Sequence, residues 1–257
     1  MAIKNQTKNK QTSFDEIYEH IISDAQTADG SNKVILSDKV LMKKISCYVT
    51  NLITGIAPLD EVMCSSYVHK NGFQKIVLGR MGGFALRFHR YIPGIGDKNI
   101  HDHRWSRMDS FVLEGNLLAD YLFHTNHKVK SAEKFQHHTY SKVGDDYIVE
   151  HKGESYLLVG KHVEHLTGCL YSMKSKELHR ILPSDQSVAT LVVTHPVPEN
   201  RVWCNLYQKY IIEELEPVRE ERLSQEQMIT SLKHLNALLL AHLTEEASVE
   251  TTVGEWQ

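Results

Sequence analysis

The 257-residue chain reads as a mainly β protein, a sandwich or barrel with helices at both ends. Three observations lead there. From about Gly72 to His195 the apolar and β-branched residues fall in short runs punctuated by Gly, Asp or Asn, as in consecutive antiparallel strands. No helical period interrupts those runs, which argues for an all-β sandwich or barrel. On either side of them, apolar residues recur at helical spacing behind Ser-x-x-Glu or Ser-x-x-Gln start signals.

Composition narrows the class of function. The length suffices for one large core. A net charge of −3 gives no electrostatic case for a nucleic-acid partner or an anionic membrane. Cys47, Cys64, Cys169 and Cys204 form no CxxC pair and no regular framework, so they read as reduced thiols in a cytosolic setting. Met1 to Gln11 is polar, without the apolar stretch of a signal peptide. No apolar run approaches the roughly 20 residues that cross a bilayer. The expected location is cytoplasmic.

Ser13-Phe-Asp-Glu16 has the form of a capping box, and Phe14, Ile17, Tyr18, Ile21 and Ile22 then give an amphipathic first helix. Ala28 to Asn32 is a loop by composition. A second helix starts near Ser37-Asp38, carries Val40, Leu41, Ile45, Tyr48 and Leu52 along one side, and ends at Gly55 and Pro58. The β series then runs through 76–78, 84–91, 110–113, 117–123, 134–140 and 147–150, and continues at 155–159, 169–173, 178–182 and 188–195. After Trp203 the chain is expected to turn helical. Ser224-Gln-Glu-Gln227 repeats the capping logic ahead of Met228, Leu232, Leu235, Leu239 and Leu243. Such a stripe either docks on the chain's own core or forms a homodimer seam, and both readings stand. Ala247 to Gln257 lacks periodicity. The expected division is a tail with packing helices over 1–66, a barrel over 67–200 and a helical extension over 201–257.

Chemistry concentrates at Ile100-His-Asp-His103. On a strand, residues i and i+2 share a face, so His101 and His103 form a ready chelate for a divalent metal. The turn Pro93-Gly-Ile-Gly96 precedes them and Gly115 follows. In a chain with sixteen histidines, a surface or hydrogen-bonded imidazole is the bland alternative.

Two motifs carry a resemblance. Ile100-His-Asp-His103 is followed five residues on by Met108 and seven further by Gly115-Asn116-Leu117. Later, Tyr171-Ser-Met-Lys-Ser-Lys-Glu-Leu-His179-Arg-Ile sets a tyrosine eight residues before a histidine. In order and spacing these resemble the cupin superfamily, and more closely its thiol dioxygenases of the cysteine dioxygenase type, over about Gly72 to Pro198. The resemblance implies a double-stranded β-helix, or jelly-roll barrel, with Fe(II) held by His101, His103 and His179. The iron would keep adjacent positions for O2 and a small-molecule substrate, a small thiol yielding a sulfinic acid. Three neutral imidazoles suit Fe(II). Asp102, on the opposite strand face, reads as a structural acceptor, and Arg180 as the partner of a carboxylate behind the site. Oxidation of carbon, or a non-catalytic cupin holding Zn or Ni, are the competing readings.

The chain also departs from that family. Met108 stands where the family has cysteine, so an apolar contact is expected there. By strict alternation Asp109 shares a face with His101 and His103 and offers a rival ligand, unless a bulge reverses the parity. The family's Ser-x-His-x-Tyr set is missing, its region reading Thr190-Leu-Val-Val-Thr-His195-Pro. Tyr171 either supplies a hydroxyl to the site or is an ordinary strand tyrosine. Among Lys75, Arg80, Arg87 and Arg90, Arg87 is the candidate for a substrate carboxylate, because a guanidinium among Phe84, Leu86 and Phe88 is costly without a partner. Its alternative is a solvent-facing strand residue. His162 and His165 are candidates for the pocket entrance, His137 and His138 read as a polar surface, and Trp105 and Trp203 as core or pocket wall.

Overall fold

The computed structural model describes residues 12–26, 33–69, 71–143, 146–212 and 221–244. The N-terminal tail, the 28–32 loop and the segment from 247 onward lie outside them. The described chain is mainly β, with helices before and after two antiparallel sheets.

Helices cover the outer face of the first sheet. In α1 (Phe14–Ala25), Ile17 and Ile21 are buried, but the Ser13 side chain makes no cap bond, so the expected capping box does not form. Helix α2 (Lys39–Ile53) begins where expected, with the Asp38 carboxylate accepting from Leu41 N–H at 2.8 Å. Its buried face runs through Leu41, Ile45, Val49 and Leu52, whereas Val40 is exposed. At the other end, Ser224 and Gln227 cap each other reciprocally ahead of α4 (Gln225–Thr244). Met228, Leu232, Leu235 and Leu239 are fully buried in this chain's own core, each contributing roughly 1.5–3 kcal/mol of burial. The stripe is therefore occupied internally, with Ser46 of α2 donating to Asn236 of α4 at 2.6 Å. The sequence reading did not anticipate α3 (Asp60–Ser65) or the short strand β1 (Tyr67–Val68).

The first sheet runs β13 (Glu221–Arg222), β1, β2 (Gln74–Met81), β3 (Phe84–Tyr91), β11 (Val188–Thr194), β5 (Arg107–Glu114), β9 (Leu170–Lys174). The second runs β10 (Leu178–Ile181), β4 (Ile100–His101), β12 (Trp203–Gln208), β7 (Glu133–Val143), β8 (Asp146–His165), β6 (Leu117–Thr125), and β6 pairs back onto β10. Along the chain, β3, β5, β9 and β11 go to the first sheet and β4, β6, β8 and β10 to the second. That alternation is the double-stranded β-helix topology.

Two parts of the series differ from expectation. The runs at 147–150 and 155–159 belong to one strand, β8, which continues through a bulge opposite His137 and His138, where Gly153 takes φ +105°. Past residue 200 the chain does not turn helical at once. It lays β12 between β4 and β7, so the second sheet extends beyond the expected boundary. No helix among the described residues is long and apolar enough to cross a membrane.

The first sheet has two dissimilar faces. Ile76, Leu78, Leu86, Phe88, Leu191 and Val193 meet the helices. The residues between them face the barrel interior, where Met108, Met173 and Val192 form one cluster and Phe73, Tyr91 and Val112 part of another.

Candidate metal centre

His101 and His179 are Cα partners in the antiparallel pair of β4 and β10. Strand β4 ends at His101, so His103 lies beyond it, fixed by its own N–H donating to Ser175 O at 3.1 Å. The three rings nonetheless converge. Their centroids are 5.0 Å (101–103), 4.6 Å (101–179) and 4.9 Å (103–179) apart. One ring nitrogen from each lies within 4.8 Å of the other two.

The protonation pattern suits a cation. Nδ1 of His179 faces Glu177 O at 3.1 Å, and Nδ1 of His101 faces Asn99 O more loosely at 3.5 Å. A carbonyl only accepts, so each Nδ1 carries the proton and leaves Nε2 as the ligating atom. Burial, reinforced by His179 and His101, pushes the His103 imidazolium well below the ordinary histidine range. Burial, then His101, brings His179 down to about 4. Neutral imidazole is the form that binds metal, and the three rings fit a divalent first-row ion.

Asp102, between two of the histidines, is a structural acceptor as expected, and its partners come from β12 and the turn before it. Arg201 Nη2 donates to Oδ2 at 2.7 Å, Asn205 Nδ2 to Oδ2 at 2.6 Å and Asn205 N–H to Oδ1 at 2.7 Å. Arg180 donates through Nε and Nη2 to one oxygen of Asp120, Oδ2, at 2.9 and 2.7 Å. The Arg201 and Asn205 roles were not legible, because the strand carrying Asn205 was not.

Asp109 is not a ligand. The turn between β4 and β5 reverses the strict alternation, so Met108 lines the cavity and Asp109 points to the helix side. There its carboxylate accepts from Val34 N–H (2.9 Å), Arg107 Nε (2.8 Å), Ser172 Oγ (2.6 Å) and His195 Nε2 (2.8 Å). Met108 packs with Met173 and Val192, the apolar contact expected of it.

The histidines open onto a cavity of about 210 Å³. Arg87 and Tyr171 both line it. Arg87 is 6% exposed, which removes the solvent-facing alternative. Its guanidinium lies 4.4 Å above the Trp105 ring, and the Trp105 ring sits tilted against His103, centroids 4.5 Å apart. Tyr171 stacks on His165 at 4.0 Å, and burial holds its phenol protonated far above the ordinary range. Lys75 also lines the cavity, whereas Arg80 is exposed at the sheet edge. His162 pairs with Asp120, and His165 bonds Tyr121; neither lines the cavity. His138 is fully buried, not part of a polar surface, and accepts from Ile212 N–H. Trp203 is exposed. The sequence reading missed Asp97, which reaches the cavity while accepting from Asn71 Nδ2 at 2.5 Å and Ile181 N–H at 2.8 Å. Burial raises that carboxyl.

No family model and no curated protein sequence matches the chain. Among solved structures it is similar to a Thermus thermophilus protein (15% identity, 55% of this chain and 97% of that one, TM-score 0.33). It is also similar to an uncharacterized Klebsiella pneumoniae protein with a double-stranded β-helix domain (13%, 57% and 92%, 0.32). A third is a cupin superfamily protein of Desulfitobacterium hafniense (8%, 50% and 81%, 0.30). The strand order of the two sheets defines the fold.

Proposed function

We propose that the chain is a cupin-type mononuclear oxygenase that holds Fe(II) through His101, His103 and His179 and oxidises a small thiol or amino-acid-like substrate with O2. The observation that carries the reading is the convergence of three imidazoles, with burial holding His103 and His179 neutral, on a cavity that Arg87 also lines. Bound Fe(II) supplies the redox chemistry that lets dioxygen react with a closed-shell substrate.

The chain's own residues have separable tasks. His101, His103 and His179 would hold the ion and, being only three ligands, would leave it room to take O2 and substrate. Arg87, held against Trp105, meets an acid group of the substrate and fixes its orientation. Met108, Met173 and Val192 keep the neighbouring wall dry. Tyr171 stays protonated and acts as a hydrogen-bond donor, not as a base. For a thiol the balance is one O2 added to one thiol, giving a sulfinic acid with no external reductant.

Anaerobic reconstitution with ferrous ion, followed by oxygen uptake over a panel of thiols and amino acids, tests this. The expected result is iron-dependent uptake with matching sulfinate formation, lost in His179→Ala. Tightly held zinc without oxygen consumption overturns the oxygenase reading. Uptake without sulfur oxidation moves the chemistry to carbon.

A further inference from the structure

Two loops meet at the cavity. The turn joining β1 to β2 is closed by His69 N–H donating to Phe73 O at 2.7 Å. It lies so close to the 93–97 loop that a Cβ on Gly72 would come within 2.7 Å of Ile95 Cγ2. Asn71 of the first loop and Asp97 of the second both line the cavity. Asn71 Nδ2 donates to Asp97 Oδ1 at 2.5 Å.

That bond fixes the amide. A carboxylate only accepts, so the Nδ2 edge of Asn71 must face Asp97 and its carbonyl Oδ1 turns away. Oδ1 is enclosed without a hydrogen-bond partner, in a residue that is 3% exposed. An enclosed acceptor left unmatched is costly, and a ligand that brings a donor removes the cost.

Asp97 adds charge to that acceptor. Its oxygens accept from Asn71 Nδ2 and Ile181 N–H, both neutral donors, and no lysine or arginine among the described residues pairs with it. The other aspartate of the cavity wall, Asp102, has Arg201. Burial raises the Asp97 carboxyl, a penalty on its charge that a bound cation would offset. A carboxylate has roughly four lone-pair sites, so Asp97 keeps some unused. An ammonium group matches the set, with one N–H for Asn71 Oδ1, others for Asp97, and a positive charge facing the carboxylate. A hydroxyl would satisfy Oδ1 but leave the charge unanswered.

We propose that Asn71 and Asp97 form an ammonium subsite, so that the substrate carries a protonated amine which, having no lone pair, is held by these two side chains and not by the metal. This rests on the proposed function for the acid group at Arg87 and for the chemistry at the three histidines, but recognition of the amine does not require the metal.

Calorimetric titration of the full-length protein at about pH 7, without added metal, tests the subsite. The probes are glycine, β-alanine and 4-aminobutanoate, each beside its hydroxy analogue and its unsubstituted acid. All carry a carboxylate for Arg87, the chain length spans the spacing between the two ends, and at this pH the amines are protonated. At least one amine is expected to bind about tenfold or more tighter than both of its analogues. Asp97→Asn removes the charge while keeping the shape of the side chain, and Asn71→Ala removes the unmatched carbonyl. Each should abolish most of that advantage. No amine binding tighter than its two analogues at any length overturns the inference, and this comparison needs neither variant to fold. An amine preference unchanged in both variants also overturns it. A parallel ferrous titration with oxygen uptake separates the two claims. Amine preference without metal uptake leaves the subsite standing and sinks the oxygenase, and iron-dependent uptake without amine preference does the reverse.

Discussion

His101 stands directly opposite His179, Cα to Cα, across the short antiparallel contact of β4 and β10. Two residues far apart in sequence thus become neighbours through one backbone pairing, and His103 joins them from the turn that follows. Because β10 is also paired along its length with β6, removing one imidazole leaves the strand in place. His179→Ala is expected to fold and to lose metal binding. A ligand at about a hundred times its dissociation constant adds about 2.7 kcal/mol to stability. The wild type should therefore show a rise in Tm with added metal that the variant lacks, measured by differential scanning calorimetry.

Asp102 ties the metal-ligand segment to Arg201 and to Asn205 of β12, with contacts of 2.6 to 2.7 Å. Loss of such partners behind metal ligands lowers affinity by about 10- to 100-fold. Asn205→Ala and Arg201→Ala should each weaken metal binding by that order in a chelator competition, with metal stoichiometry unchanged. Full affinity in both variants would remove the clamp from the account.

Asp109 predicts a pH dependence. Burial raises its carboxyl, but hydrogen bonds from His195, Ser172, Val34 N–H and Arg107 together outweigh this and hold it below the ordinary carboxylate value. A depressed folded value means stabilisation that is present above the unfolded value, about 3.9, and lost as pH falls through the folded one. Asp109→Ala should cost about 3–5 kcal/mol near neutral pH, since it breaks a buried pair and leaves its partners unmatched. Urea denaturation should show that difference shrinking as the pH drops below about 4.

Leu235 of α4 is fully buried against the core. Leu235→Ala should cost about 2–5 kcal/mol in urea denaturation. A cost near zero would mean that the α4 stripe is not packed on this core.

Much of the architecture was legible because it is written in local patterns. The period-two runs gave most of the β-helix strands, and the Ser224–Gln227 cap and leucine stripe gave α4. The three histidines could be named in advance from spacing and resemblance. What was hidden depends on long-range pairing. Trp203–Gln208 carries no decisive alternation, so β12 and the Asn205 contact to Asp102 emerged only from its register with β4. Asp109 shows the converse failure, since a turn of a few residues between β4 and β5 flipped a parity that counting alone had fixed. Val40 and Ser13 fitted their helical patterns, yet Val40 faces away from the core and Ser13 makes no cap bond.

Anaerobic titration of Co(II), as a spectroscopic stand-in for Fe(II), into the wild type and into a His101→Ala/His179→Ala double variant tests the central claim most directly. The account predicts one equivalent bound by the wild type, with d–d bands typical of imidazole coordination, and no such spectrum in the variant. An identical spectrum and stoichiometry in the double variant would contradict it.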